Sequence, residues 1–118
     1  MNLGAFSVSL NVKNIEDSLS FYENLGFKII DGGHQNDGFP DTSKAKWRII
    51  ENNTTKIGLF QGMFQQNILT FNPKDVIAIQ KELLKNDIKL ISKADENSPY
   101  KSTILADPDG NQIMLDQM

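Results

Sequence analysis

Residues 10–30 read LNVKNIEDSLSFYENLGFKII and decide the fold, because a second stretch of the chain follows the same plan. Residues 71–91 read FNPKDVIAIQKELLKNDIKLI and align with the first stretch without a gap. The identical pairs are Asn11/Asn72, Lys13/Lys74, Lys28/Lys89 and Ile30/Ile91. Four identities are few enough to arise by chance. The evidence for a repeat is therefore mainly the pattern of elements that both copies share.

Each copy opens with a strand and continues with a helix. Apolar and polar residues alternate at 6–12 and again at 69–72, which indicates strands with one packed face. Asn14 and Asp75 come next, and their short side chains suit the N-cap of a helix. Apolar residues then recur at helical spacing in both copies, so each helix has one apolar stripe.

Both helices are predicted to end in the same way and to lead into a second strand. Gly26 in the first copy and Asn86–Asp87 in the second tolerate the left-handed conformation that ends many helices. Apolar runs at 27–30 and 88–91 follow at once, and each predicts a strand.

The last strands of each copy also correspond. IGLFQ at 57–61 resembles IMLDQ at 113–117, and each is preceded by a further predicted strand, at 47–51 and 103–106. The turn DPDGN at 107–111 joins the final pair, with Pro and Gly at positions that favour a tight turn.

Each copy is therefore predicted to be β-α-β-β-β, and the fold class is α+β. Neither copy is large enough to bury its own sheet face, so we expect one domain over residues 1–118. Its two modules should span about 4–62 and 67–118. The polar stretch at 31–46 interrupts the symmetry, and a loop of that length favours a lid or rim over plain disorder.

Composition excludes several classes of function. Twelve basic against fifteen acidic side chains give a net charge of −3, which argues against nucleic acid or a membrane as the main partner. The chain has no cysteine, which rules out disulfides and thiolate metal sites, and its single histidine, His34, cannot form a two-histidine site. No signal peptide is recognisable in the opening residues, so we expect a cytoplasmic protein.

Two motifs carry a family resemblance. VKNIEDSLSFYENLGF at 12–27 and DPDGNQI at 107–113 are similar to motifs of the glyoxalase/bleomycin-resistance/extradiol-dioxygenase superfamily, also called vicinal-oxygen-chelate proteins. The resemblance covers nearly the whole chain. It implies a curved sheet from each half enclosing a cavity, and a homodimer.

The resemblance also implies where a metal would be held in the metal-using members. One His or Gln and one Glu from each half would stand at Ser7, Gly58, Ile68 and Met114 of this chain. Ile and Gly side chains offer no donor, Ser is a poor neutral ligand, and a Met thioether suits soft Cu(I). We therefore expect no metal site and no cofactor.

Strand alternation gives a mixed polar and apolar cavity face, which suits a small organic ligand with polar edges. Arg48 would face the same way if its strand alternates as expected, and would then suit a carboxylate. The two asparagines could instead cap strand ends, and Phe60 could be core. The candidate ligand-binding residues are Asn11, Arg48, Phe60, Thr70, Asn72, Met114 and Asp116.

These observations favour a metal-free small-molecule-binding protein that sequesters a drug or metabolite. The alternative is a glyoxalase-like lyase or dioxygenase-type enzyme with non-standard or inter-subunit catalytic residues, such as Asp116, Lys56 or His34. A third alternative is a scaffold whose dimer surface is its function. The sequence does not identify the ligand.

Overall fold

The computed structural model describes residues 1–117, and within them the chain forms seven strands and two helices. The α+β class predicted from the sequence is confirmed. In chain order the elements are β1 (Ala5–Val12), α1 (Ile15–Glu23), β2 (Lys28–Gly32), β3 (Lys46–Asn52), β4 (Thr55–Gln61), β5 (Ile68–Asn72), α2 (Val76–Lys85), β6 (Ser102–Ala106) and β7 (Gln112–Asp116). No helix among these residues is long and apolar enough to cross a membrane.

The chain divides into two compact units. Residues 7–67 form the first module, in which the strand order is β2-β3-β4-β1 and only the β1–β4 pair is parallel. Residues 1–6 and 68 onward form the second module, in which β7 lies between β5, which is parallel to it, and β6, which is antiparallel.

Helix α1 begins where the sequence predicts, and two side chains satisfy its first backbone donors. The Asn14 side-chain oxygen accepts from the Asp17 N–H at 3.0 Å, and Gln61 Oε1 accepts from the Ile15 N–H at 2.9 Å. The helix packs Ile15 against Ile50 and Leu59, all three of which are buried. This core places α1 on one face of the β3–β4 pair.

The second module repeats these hydrogen bonds at corresponding residues. Asp75 Oδ1 accepts from the Ala78 N–H at 3.0 Å, and Gln117 Oε1 accepts from the Val76 N–H at 2.9 Å. Val76 then packs in a core with Ile79 and Leu115. The glutamine shared by IGLFQ and IMLDQ thus has a physical role, because each one caps the helix that packs on its own strand.

Both helices also end alike, as predicted. Gly26 has φ +91° and Asp87 has φ +61°, the left-handed conformation. The next residue in each case donates back to the helix, Phe27 N to Tyr22 O at 3.1 Å and Ile88 N to Leu83 O at 3.0 Å.

The strand predicted at 88–91 does not form, and this part of the repeat prediction was wrong. A single bridge joins Ser92 to Ile104 of β6, after which the chain leaves the sheet. The buried side chain of Gln80 explains the departure, because it accepts from Ala94 N at 2.7 Å and donates to Ala94 O at 3.1 Å. These bonds tie the segment to α2 and leave β6 with one bridge on that side.

The polar stretch at 31–46 is a loop held by many hydrogen bonds of its own. Asp41 N donates to Gly33 O at 3.0 Å, Gly33 N to Trp47 O at 3.1 Å, and Trp47 Nε1 to Phe39 O at 2.8 Å. A Cβ at position 33 would collide with Oδ1 of Asp41, so only glycine allows this close approach. The loop is therefore anchored to the start of β3.

Candidate functional site

In the first module, the face opposite α1 brings together two of the candidate residues. Strand pairing sets Phe60 of β4 beside Asn11 of β1 on one side and beside Trp47 of β3 on the other. Residues directly paired across strands point to the same face. Leu59, which precedes Phe60 on β4, and Ile50, three residues after Trp47 on β3, point to the other face and into the core under α1. Trp47, Phe60 and Asn11 thus form one row across three strands, which we name the aromatic row.

The rings of this row have a defined geometry. Trp47 and Phe60 are nearly parallel, with centroids 6.3 Å apart and planes inclined by 7°. Phe64, just after β4, meets Phe60 edge to face at a centroid distance of 4.9 Å. All three rings are partly exposed. The sequence singled out Phe60 but could not show that Trp47 and Phe64 surround it, since that needs the register of β3 against β4.

Gly58 gives the Phe60 ring its position. A Cβ built at Gly58 would collide with Cε2 of Phe60 and would lie 3.1 Å from Cζ and 3.3 Å from Ile49 Cδ1. The ring therefore leans back along its own strand and covers the backbone at position 58. Any side chain at this position would have to displace it.

Arg48 does not lie where the sequence argument expected. It pairs with Leu59, a core residue, so its side chain leaves β3 on the helix-facing side and not on the face of Phe60. Its Nη1 donates to Asp41 Oδ2 at 2.8 Å and to Trp47 O at 2.6 Å, and both partners of the ion pair are mostly buried. The expected orientation was wrong, and the guanidinium serves to hold the 31–46 loop.

The second module groups the other four candidates on the face opposite α2. Thr70 pairs with Met114, and both are buried, at 5% and 8% exposure. Asn72 Nδ2 donates to the backbone oxygen of Asp116 at 2.9 Å and so ties the end of β5 to β7. The sequence left open the alternative that the asparagines cap strand ends. The Asn72 amide nitrogen does so here.

Asp116 carries the most unusual environment on this face. It corresponds in the repeat to Phe60, and Ser102 stands opposite it on β6. Burial raises the pKa of the Asp116 carboxyl above its ordinary value. Among residues 1–117 its carboxylate has no hydrogen-bond or ion-pair partner, so it is available to a ligand that donates.

The residues at the four positions implied for a metal do not fit one. Ser7, Ile68 and Met114 are buried, and Gly58 lies under the Phe60 ring. Together they offer one neutral hydroxyl and one thioether, and a divalent ion of the glyoxalase type needs imidazole, carboxylate or amide oxygen donors. Over the described part of the chain, no group of three or more His, Cys, Asp or Glu side chains could hold an ion.

Comparison with known families agrees with this architecture. The sequence model of one protein family, the Glyoxalase/Bleomycin resistance protein/Dioxygenase superfamily, matches residues 4–115. The chain belongs to this superfamily. The resemblance inferred from the two motifs is confirmed, and no curated protein matches.

Solved structures share the fold at low sequence identity. A hypothetical protein from Bacillus halodurans C-125 is 15% identical with a TM-score of 0.73, covering 99% of this chain and 94% of its own. Methylmalonyl-CoA epimerase from Mycobacterium tuberculosis is 14% identical with a TM-score of 0.71, covering 99% and 90%. A superfamily member from Vibrio splendidus 12B01 is 14% identical with a TM-score of 0.65, covering 96% and 97%. At these identities the likeness concerns the fold alone.

Proposed function

We propose that this superfamily member is a metal-free protein that binds and sequesters a small organic molecule. The observation that carries the proposal is the Phe60 ring lying over Gly58. Where a metal-using relative would present a glutamate, this chain presents an aromatic surface. A metal-ligating side chain at position 58 would need the space that the Phe60 ring fills. This ring position therefore excludes metal coordination from that point of the strand.

The chemistry of the two faces supports a ligand of mixed polarity. The first module offers partly exposed rings with an amide beside them, and the second offers the partly buried carboxylate of Asp116 at the end of β7. Small-molecule sites combine apolar surface with a few polar groups, as the first module does by itself. A ligand with an apolar body and a polar edge would use the rings and the amide, and the Asp116 carboxylate is a separate feature of the second module.

A thermal-shift screen tests the proposal, because a ligand selective for the native state raises its melting temperature. The library contains drugs, thiol adducts and aromatic acids, and each hit is repeated on Phe60→Leu. Phe21→Leu is the matched control, since Phe21 is exposed on α1, away from the face opposite that helix. We expect a hit whose shift shrinks in the first variant and persists in the second. A screen without hits contradicts the proposal.

The second candidate function is an enzyme, and Asp116 is the observation that favours it. A carboxyl whose pKa is raised by burial suits a general base. The epimerase among the similar structures suggests methylmalonyl-CoA as the substrate to try. Exchange of its α-proton in D₂O, followed by NMR, should not exceed the buffer rate. Exchange that Asp116→Asn abolishes would replace the binding proposal with catalysis.

We further propose a cytoplasmic homodimer. Exposed apolar side chains in each module support self-association, among them Leu25 in the first and Ile91 in the second. Light scattering after size exclusion should give twice the 13.3 kDa chain mass. A monomer at micromolar concentration would contradict this proposal, and also the alternative of a scaffold that acts through its dimer surface.

A further inference from the structure

We infer that the aromatic row of the first module is the binding site for a planar aromatic ring that carries a polar substituent. The inference rests on the proposed function and names its ligand class. It needs only residues of one module, which are Asn11, Trp47, Phe60 and Phe64. The argument has three parts: the orientation of the rings, their fixation, and the amide at the end of the row.

The orientation of the rings suits one flat partner. Trp47 and Phe60 are inclined by only 7°, so their π faces point in the same direction. A planar ligand stacked on either ring therefore lies nearly parallel to both rings. An aliphatic ligand gains no such advantage, because stacking adds to area burial only when the partner also has a π system.

Neighbouring groups hold both rings in place before a ligand arrives. The Trp47 indole N–H donates to Phe39 O at 2.8 Å, which fixes the ring against the 31–46 loop. Phe64 supports Phe60 edge to face, and the absence of a side chain at Gly58 leaves room for that ring to settle. Rigid aromatic groups lose little conformational entropy on binding, so this arrangement favours affinity.

Asn11 supplies the polar part of the site. Its backbone N–H donates to Asn67 Oδ1 at 2.9 Å, which anchors the strand beside Phe60. Its side chain is exposed, and within residues 1–117 the side-chain amide makes no hydrogen bond. An amide offers two donors and one acceptor, so a carbonyl or amide substituent on the ligand ring can pair with it.

The alternative is that the rings are simply part of the hydrophobic core, and their exposure argues against it. The true core of this module contains Ile15, Ile50 and Leu59, which are at most 1% exposed and lie on the opposite face. The aromatic row keeps part of its ring surface accessible. Large aromatic groups on a sheet face with that exposure are typical of recognition surfaces.

The test uses two neutral probes with the same carbon skeleton and substituent, 2-naphthamide, which is flat and aromatic, and its fully saturated analogue decahydronaphthalene-2-carboxamide, which is neither. Trp47 is the only tryptophan, so its indole N–H gives one assignable peak in a ¹H–¹⁵N spectrum. We expect 2-naphthamide to shift this peak in a saturable titration, with a dissociation constant about fivefold or more below that of the analogue.

Three variants assign the effect to named groups. Phe60→Leu should abolish the preference for the aromatic probe, and Asn11→Ala should weaken binding of 2-naphthamide without disturbing the fold, because its side chain is exposed. Phe21→Leu, on α1 and outside the row, should change neither. The spectrum of each unliganded variant confirms that it is folded.

Equal affinity for the two probes, or an unshifted indole peak, would overturn the inference, as would a preference that survives in folded Phe60→Leu. The proposed function fails differently. Aliphatic hits in the thermal-shift screen would leave small-molecule binding intact while removing the aromatic class, whereas a stoichiometric bound metal would remove the proposed function itself.

Discussion

Gln80→Leu tests the contact that makes the second copy of the repeat differ from the first. The Gln80 side chain accepts from Ala94 N and from the Thr103 hydroxyl, at 2.7 and 2.5 Å, and donates to Ala94 O at 3.1 Å. Gln80 is 9% exposed and Thr103 is fully buried. Leucine has a similar size, so the variant removes the three hydrogen bonds without opening a large cavity.

The magnitude follows from the number of groups left without a partner. A net contribution of about 0.5–1.5 kcal/mol for each of the three bonds gives a loss of about 1.5–4.5 kcal/mol in the free energy of unfolding. Thr103→Val removes one of the three bonds from an isosteric side chain and should cost about 1 kcal/mol. In the double variant the two losses should not add, because both substitutions remove the same Thr103–Gln80 bond.

Urea unfolding followed by circular dichroism measures these losses, and hydrogen exchange at Ala94 N reports the segment directly. Exchange should accelerate in Gln80→Leu, because that N–H loses its acceptor. The exposed Gln66→Leu is the control and should stay within about 0.5 kcal/mol of the parent. A loss below about 0.5 kcal/mol in Gln80→Leu, with protected exchange at Ala94, would refute this account of why the chain leaves β6 after Ser92.

Three further outcomes are expected. Gln61→Ala removes the acceptor of the buried Ile15 N–H and should cost about 0.5–2 kcal/mol in urea unfolding; an unchanged midpoint would contradict the capping role. Gly58→Ala should turn the Phe60 ring and reduce the ring-current shifts that it causes in neighbouring protons in NMR spectra. Unchanged shifts would mean that the position of the ring does not depend on glycine at residue 58. Because burial raises the folded-state pKa of Asp116, its ionisation destabilises the fold as pH rises from the unfolded value, 3.8, through the raised one. Asp116→Asn should remove that loss, and an unaltered pH profile of stability would contradict it.

The parts of the fold that depend on neighbours in the chain could be predicted from the sequence. Asn14 and Asp75 cap helices because their side chains bond to a backbone N–H three residues on. Gly26 and Asp87 end those helices for an equally local reason, the left-handed backbone each one tolerates. Neither prediction needed knowledge of distant residues.

The predictions that failed depended on distant contacts. Residues 88–91 have the composition of a strand, but Gln80 draws the following chain away, and nothing in the local pattern signals that bond. Alternation along β3 places Arg48 and Trp47 on opposite faces, but it does not say which of them lies on the helix-facing side. Only pairing with Phe60 settles it, and Trp47 rather than Arg48 then belongs to the face of the candidate site.

Metal content tests the central claim most directly. The purified protein, never exposed to chelators, is dialysed in turn against Zn²⁺, Ni²⁺, Mn²⁺ and Fe²⁺, then against metal-free buffer, and analysed by mass spectrometry for elements. We expect far less than one ion per chain, because Phe60 over Gly58 and the side chains of Ser7, Ile68 and Met114 offer too few donors. One tightly held ion per chain would contradict the account.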